Sequence, residues 1–320
     1  MRIFVRKKEK WFSPRGTLAY VARSTSCGRK QQVLGRKAPS GKTTSLIPLF
    51  CRSVALLLCC SVMLFSSSLS WIEIPFDSEV LSLGGGRSIR ENPAKLPFSR
   101  NIKFKFSSGK WIEFLEGSRF EISSKFIGID YRSFKIDDTE YDENGVKIGD
   151  FKNKFDLISI RSGFKVGESL SLGFEYKNAK EKLYKDYSGK ANLFSFGMCY
   201  FPSKNVRYGF LVSNFGGKVK YESEKFPSPF KIGSGFEFKQ GRLLLAGDIE
   251  FYEKEKLWIR WGMQFTPYRF LSLRTGFIYQ EFFDVLFGFG LKWRNLILNF
   301  AIFPHPELGT TQIFDIELSF

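Results

Sequence analysis

Charged residues recur at even spacing within stretches that otherwise alternate oily and polar: Glu175, Glu237, Lys239, Asp248, Glu250, Arg260, Arg274, Lys292, Asp315 and Glu317. Carboxylates and cations so placed can neutralise one another across a wet interior, or line a pore that selects among ions. They do not assemble an acid-base or nucleophilic apparatus. His305, the only histidine, stands between Pro304 and Pro306, and no serine with an orienting carboxylate lies at a spacing that would make it a catalytic base. Cys199 falls on the same face as Gly197 and reads as a small packed residue. The acidic run Asp137, Asp138, Glu140, Asp142 and Glu143 lacks the aspartate order of a calcium loop and reads as a hydrated loop. The stretch Gly35 to Thr44 imitates a phosphate-binding loop, but five residues rather than four separate Gly35 from Gly41, and no strand precedes it. No catalytic residue, cofactor or metal is expected, and the chain does not read as an enzyme.

The elements that carry these charges alternate at period two. Leu170, Leu172, Phe174 and Tyr176 interleave with Ser171, Gly173 and Glu175; Leu257, Ile259, Trp261, Met263 and Phe265 interleave with Trp258, Arg260, Gly262 and Gln264. The chain closes on Phe314, Ile316, Leu318 and Phe320 against Asp315, Glu317 and Ser319. One face of each segment is oily and the other wet. Many segments of about ten residues with an aromatic-rich oily face mark a transmembrane β-barrel, because only a closed sheet satisfies every backbone group inside lipid. A charge facing lipid would cost about 2–4 kcal/mol at the bilayer midplane, so the shared face of the charged residues agrees with this assignment. Gly163, Gly173, Gly197, Gly209, Gly233, Gly262, Gly276, Gly288 and Gly290 fall on that face too and make room inside.

The net charge of +17 invites a nucleic-acid reading, which fails once the charge is placed: +12 belongs to residues 1–70. Beyond them Lys and Arg are mixed with Asp and Glu, with no stripe to track phosphates. Nucleic acid is therefore not an expected partner. Four of the five cysteines (Cys27, Cys51, Cys59, Cys60) also lie in that leader, leaving Cys199 alone and no internal disulfide in the remainder.

Basic Arg52, the apolar run Val54 to Phe65 and the small residues Ser66 to Ser70 compose an export signal, with cleavage expected after Ser70. Residues 1–70 are thus read as a basic extension plus signal peptide, residues 71–99 as an irregular N-terminal plug, and residues 100–320 as the barrel. Gly84, Gly85 and Gly86 permit unusual backbone, and Asn92-Pro93 cannot lie in a central strand. From residue 100 the periodicity and turn residues give about fourteen strands, with twelve the next even count. Early segments are placed at 101–107, 110–116, 119–124 and 125–134, and the segment Asp137 to Asp150 is read as a longer outer connection. Tight turns at Gly167-Glu168, Gln240-Gly241 and Arg294-Asn295 belong on the periplasmic side.

Four stretches in order carry a family likeness. Leu81-Ser-Leu-Gly-Gly with Glu91-Asn-Pro-Ala-Lys-Leu96, Trp111 to Phe120, Phe226-Pro-Ser-Pro-Phe230 followed by Arg242 to Glu250, and Leu308 to Phe320 resemble the conserved segments of the PorV/PorQ group of outer-membrane barrels, relatives of the FadL fatty-acid channels. The resemblance implies a cell outer-membrane location and an accessory role in protein secretion, with secretion components or secreted cargo as partners. The alternative expectation is a channel for small or hydrophobic solutes. Under either, membrane lipid and the barrel-assembly machinery are expected partners, and Phe320 the terminal assembly signal.

Overall fold

The computed structural model describes residues 10–12, 18–20 and 69–320, apart from 113, 142–145, 184–186, 222–223, 253–255, 281–282 and 306–308. The proposed extension and export signal thus fall almost wholly outside the described residues. Lys10–Phe12 and Leu18–Tyr20 pair with each other and with no strand of the main sheet.

Residues 103–319 form a closed antiparallel barrel of 14 strands. In chain order these are β1 (Lys103–Trp111), β2 (Leu115–Ser123), β3 (Ile127–Tyr141), β4 (Lys147–Lys165), β5 (Leu170–Lys182), β6 (Ser188–Tyr200), β7 (Val206–Phe215), β8 (Lys231–Gln240), β9 (Leu243–Tyr252), β10 (Lys256–Tyr268), β11 (Leu271–Tyr279), β12 (Phe283–Trp293), β13 (Leu296–His305) and β14 (Gly309–Ser319). Each strand pairs with its neighbours in sequence, and β14 closes onto β1 with Phe314 opposite Ser108. Beyond the last strand, Phe320 and Ile102 exchange backbone hydrogen bonds of 2.9 and 3.0 Å. A short hairpin, Lys218–Tyr221 with Glu224–Pro227, lies between β7 and β8 and takes over pairing with the upper part of β6.

Period two decides which way each residue points. Phe106, Phe120, Ile160, Phe174, Trp261, Phe287 and Phe314 are exposed on the outer wall. Such a continuous apolar exterior is untenable in water and natural in hydrocarbon, so the barrel spans a membrane, with lipid as its solvent. Closure leaves no unpaired edge inside the bilayer. No described helix is long and apolar enough to cross a membrane. Two-residue turns at 241–242, 269–270 and 294–295 share one end with the chain terminus. In outer-membrane barrels the short turns face the periplasm, which orients the β3–β4 and β7–β8 connections outward.

Two early assignments are corrected. Segments 101–107, 110–116 and 119–124 are two strands, β1 and β2. The sequence Ser107-Ser108-Gly109 has turn composition, yet Gly109 sits in mid-strand, where a side chain would meet the Ile313 Cα of β14 at 2.9 Å. The chain reverses instead at Ile112, whose φ of 52° is left-handed. The segment Asp137 to Asp150 is largely strand, since β3 runs to Tyr141 and β4 starts at Lys147. Beyond the bilayer both faces of a hairpin are wet, so the oily-wet alternation that reveals strands disappears there.

Candidate functional site

Residues 69–99 lie inside the barrel as a plug. The segment is irregular: a 3-10 turn at Ser70–Glu73, a five-residue helix α1 (Ser78–Ser82) capped by the Asp77 side chain, and a second 3-10 turn at Pro93–Phe98. Asp77 accepts from the Val80 amide at 3.0 Å, and Asn92 caps the last turn through the Ala94 amide at 2.9 Å. Short caps of this kind let a chain without long-range periodicity keep its backbone satisfied when buried.

The wall leaves room for the plug through its lumen glycines. A side chain at Gly163 would meet the Pro93 carbonyl at 2.6 Å, and one at Gly262 the Leu83 carbonyl at 2.6 Å. Gly84 and Gly85 take left-handed conformations (φ 86° and 72°) where the plug passes β10 and β11. Asn92 stitches the plug to the wall by donating to the carbonyls of Met198 at 3.2 Å and Phe210 at 2.9 Å. Pro93 is buried against β4 and β5.

The lower part of the lumen is ionic. Glu175, Glu237, Asp248, Glu250, Arg260, Arg274, Asp315 and Glu317 are all buried within it. Lys239 and Lys292 share the inward register but sit exposed at the rim, because their strands end there. Arg119, 2% exposed, is the hub: its guanidinium reaches Asp130 and Glu121 of the wall at 2.6 Å each, and Glu91 and Asp77 of the plug at 3.1 and 3.5 Å. Higher on the wall, opposite Tyr252 at the outer end of β8, Lys231 joins Glu73 at 2.7 Å to Glu250 at 3.1 Å. Lys105 bridges Asp77 at 2.6 Å and Asp315 at 3.2 Å, while Arg90 holds Glu237 at 2.8 Å. Asp248 and Asp315 accept hydrogen bonds from Ser88 and Ser78, and Arg260 donates to the Gly84 carbonyl at 2.9 Å. Burial would raise the Glu91 carboxyl, but Arg87, Arg132 and Arg119 outweigh it and hold that group well below the usual carboxylate range. Glu73 is likewise lowered, burial being overcome by Lys231 and Arg87. Spacing placed the charges inward; it named neither Arg119, Asp130 nor Lys231, and it could not say which charge meets which across the lumen.

The upper part of the lumen is apolar. Trp111, Leu115, Phe134, Leu157, Leu193, Trp258, Leu286 and Phe303, from strands all around the barrel, are buried together with Trp71, Ile72, Ile74 and Phe76 of the plug. Trp71 packs against Phe134 and Phe155 with ring centroids 5.8 and 5.7 Å away, and Phe76 meets Phe134 edge-on at 5.0 Å. The Trp71 indole donates to Glu181 at 2.5 Å. The sequence reading of the inward face had no counterpart for this layer. A water-sized gap of about 10 Å³ lies between Leu83, Ile89 and Arg90 of the plug and Phe236, Ala246 and Arg260 of the wall.

Cys199 is fully buried on the inner wall, beside the Ser171 hydroxyl that also donates to Ala94 of the plug at 2.5 Å. His305 ends β13 with its ring against Phe303 and near Asp284. Phe320 is exposed on the outer wall, edge-on to Phe104.

No family model matches the sequence, and no curated protein matches it. Solved structures do. A TodX mutant described as a monoaromatic hydrocarbon channel superposes with a TM-score of 0.53 at 11% identity, covering 76% of this chain and 98% of that one. A FadL homologue of Pseudomonas aeruginosa gives 0.50 at 9% identity, covering 76% and 98%. The fold is that of the FadL-like outer-membrane barrels.

Proposed function

We propose that this outer-membrane barrel is a channel for small apolar solutes, closed at rest by its own N-terminal plug. The observation that supports this reading most is the apolar upper lumen. A water-filled diffusion pore gains nothing from Trp111, Phe134, Leu157, Trp258 and Phe303 turned inward, whereas an apolar solute finds there the lining that small-molecule sites use. Trp71 and Phe76 occupy the layer with the chemistry a hydrocarbon would bring. Neighbours described as a monoaromatic hydrocarbon channel and a FadL homologue point the same way. The ionic lower layer then holds the plug in register until the upper contacts are exchanged.

Expression in a host lacking such channels should raise uptake of a labelled monoaromatic hydrocarbon several-fold while leaving uptake of a hydrophilic sugar unchanged. Equal hydrocarbon uptake with and without the protein would refute the channel. Membership of the PorV/PorQ group and an accessory role in protein export rest on the sequence resemblance; loss of surface-exposed cargo on gene deletion, with hydrocarbon uptake unaltered, would favour them. We also assign Phe320 to recognition by the barrel-assembly machinery, since its ring is displayed on the outer wall at the end of the closing strand. Phe320→Asp should lower the amount of assembled protein without lowering export.

A further inference from the structure

The outer wall changes character above β3 to β6. On β10 the outward apolar run Leu257, Ile259, Trp261, Met263 and Phe265 spans roughly 20 Å of bilayer, but on β5 the run is Leu170, Leu172, Phe174 and Tyr176, roughly 15 Å after allowing for tilt. Tyr131 and Tyr176 end the oily face here, their hydroxyls donating to Asp156 and Asn192 at 2.9 Å each. Headgroups must therefore come down to meet the wall on this side, because a short apolar span thins the lipid beside it.

Immediately above that boundary the same outward face is lysine. Register places Lys180 opposite Lys190, Lys190 opposite Lys220, and Lys220 opposite Lys225, a row running from β5 across β6 onto the short hairpin. A second row sets Lys135 opposite Lys154 and Lys154 opposite Lys182. Directly opposed like charges destabilise a sheet. Lys154 has a carboxylate partner, Asp156 at 2.9 Å. Among the described residues no carboxylate stands within ion-pair distance of the other members of the two rows. Three carboxylates of this outer region are engaged elsewhere, Asp137 with Lys152, Asp150 with Lys147 and Glu116 with Lys110, at 3.3, 2.7 and 3.0 Å. Lysines commonly guard sheet edges against strand addition, but β3 to β6 are paired on both sides and have no edge to guard.

We propose that this lysine face binds phosphate groups of outer-leaflet lipid headgroups. The ammonium groups stand on flexible stems at headgroup height, spaced a strand apart, and can reach along the wall toward anions drawn down by the short apolar run. The partner is an anionic, multiply phosphorylated lipid rather than a free anion, because its acyl chains cover the adjoining Phe174, Tyr176 and Ile160 while its phosphates neutralise the rows.

The test uses the purified full chain in detergent, titrated with diphosphorylated lipid A, monophosphorylated lipid A and inorganic phosphate, with bound lipid counted by native mass spectrometry. The diphosphorylated lipid should bind at least about ten-fold more tightly than the monophosphorylated one, and the triple variant Lys180→Gln, Lys190→Gln, Lys220→Gln should lose that preference. Lys125→Gln with Lys204→Gln, at the opposite end, should keep it. Unchanged binding in the triple variant, or complete displacement of the lipid by millimolar inorganic phosphate, would overturn the proposal. Should the triple variant not assemble, equal affinity of the native chain for the two lipids would overturn it alone.

Discussion

The two halves of the lumen hold one plug by different physics. Below, Arg119 and Lys105 fix Asp77 and Glu91 by charge, with contacts that are directional and tolerate no substitute. Above, Trp71 and Phe76 are held by shape and burial against Phe134 and Phe155. Another apolar molecule can replace the second kind of contact at little cost; nothing but a matched charge can replace the first. The difference suits a closure that must yield to an oily solute and otherwise stay in register.

The largest effect should follow removal of the ionic hub. Arg119→Ala leaves Asp130, Glu121, Glu91 and Asp77 without their shared cation, and stranding buried charges of this kind costs about 3–5 kcal/mol. Cys199, buried against the plug-bound Ser171, is a native reporter of plug displacement. Its labelling by a thiol reagent should accelerate by roughly two orders of magnitude or more, as local opening free energies translate into exposure. An unchanged labelling rate would show that the ion pairs do not hold the plug.

Truncating the apolar anchor should come next. Trp71→Ala removes a large buried ring and its hydrogen bond to Glu181, at a cost of about 3 kcal/mol. Unlike the hub variant, it should be rescued in part by added monoaromatic hydrocarbon, which can refill the space. A calorimetric or thermal-shift titration would show the rescue as a hydrocarbon-dependent gain in stability absent from Arg119→Ala. Equal responses of the two variants would erase the distinction between the halves.

The barrel was legible in the sequence because bilayer physics imposes one rule on every strand; Leu257 to Phe265 displays it without interruption. The plug was legible only as an absence of that rule, with Gly84 to Gly86 and Asn92-Pro93 as markers. The ionic partners were not legible, since Arg119 meets Glu91 across 28 positions and Lys231 meets Glu73 across many more, distances along the chain that no local pattern encodes. The apolar upper layer was hidden for another reason. Residues such as Leu157 and Leu193 are oily on the face that is wet lower down, so they blurred the alternation instead of announcing a chamber.

Acid should act on one half and spare the other. An unfolded glutamate titrates near pH 4.3, whereas Glu91 and Glu73 are held well below the usual range by their cations. A lowered folded value means stability that is fully present above the unfolded value and is lost as pH falls toward the folded one. Plug release, followed by Cys199 reaction with a disulfide reagent that works in acid, should therefore begin below about pH 4 and grow as the pH drops. The contribution of Phe76, packed edge-on against Phe134, does not titrate, so Phe76→Ala should offset the profile without changing its shape. A profile flat to pH 3 would mean that these carboxylates do not secure the plug.

The smallest effect separates inward register from the site itself. Lys239 and Lys292 share the lumen parity with Glu237 and Gly290, yet both stand in solvent at the rim. Replacing either with glutamine should change stability and Cys199 labelling by no more than about 0.5 kcal/mol, as for surface positions without special contacts. Arg274 offers the contrast at a buried position, where it donates to Gln264 at 2.8 Å and Asn299 at 2.9 Å. Arg274→Gln leaves those acceptors unsatisfied and should cost about 1–3 kcal/mol, read as a lower midpoint in thermal unfolding followed by gel mobility. If the lysine variants matched that loss, the ionic layer would extend to the rim and the plug would be gripped along its whole lower length; if they stay silent, the grip is confined to the ring around Arg119 and Lys105.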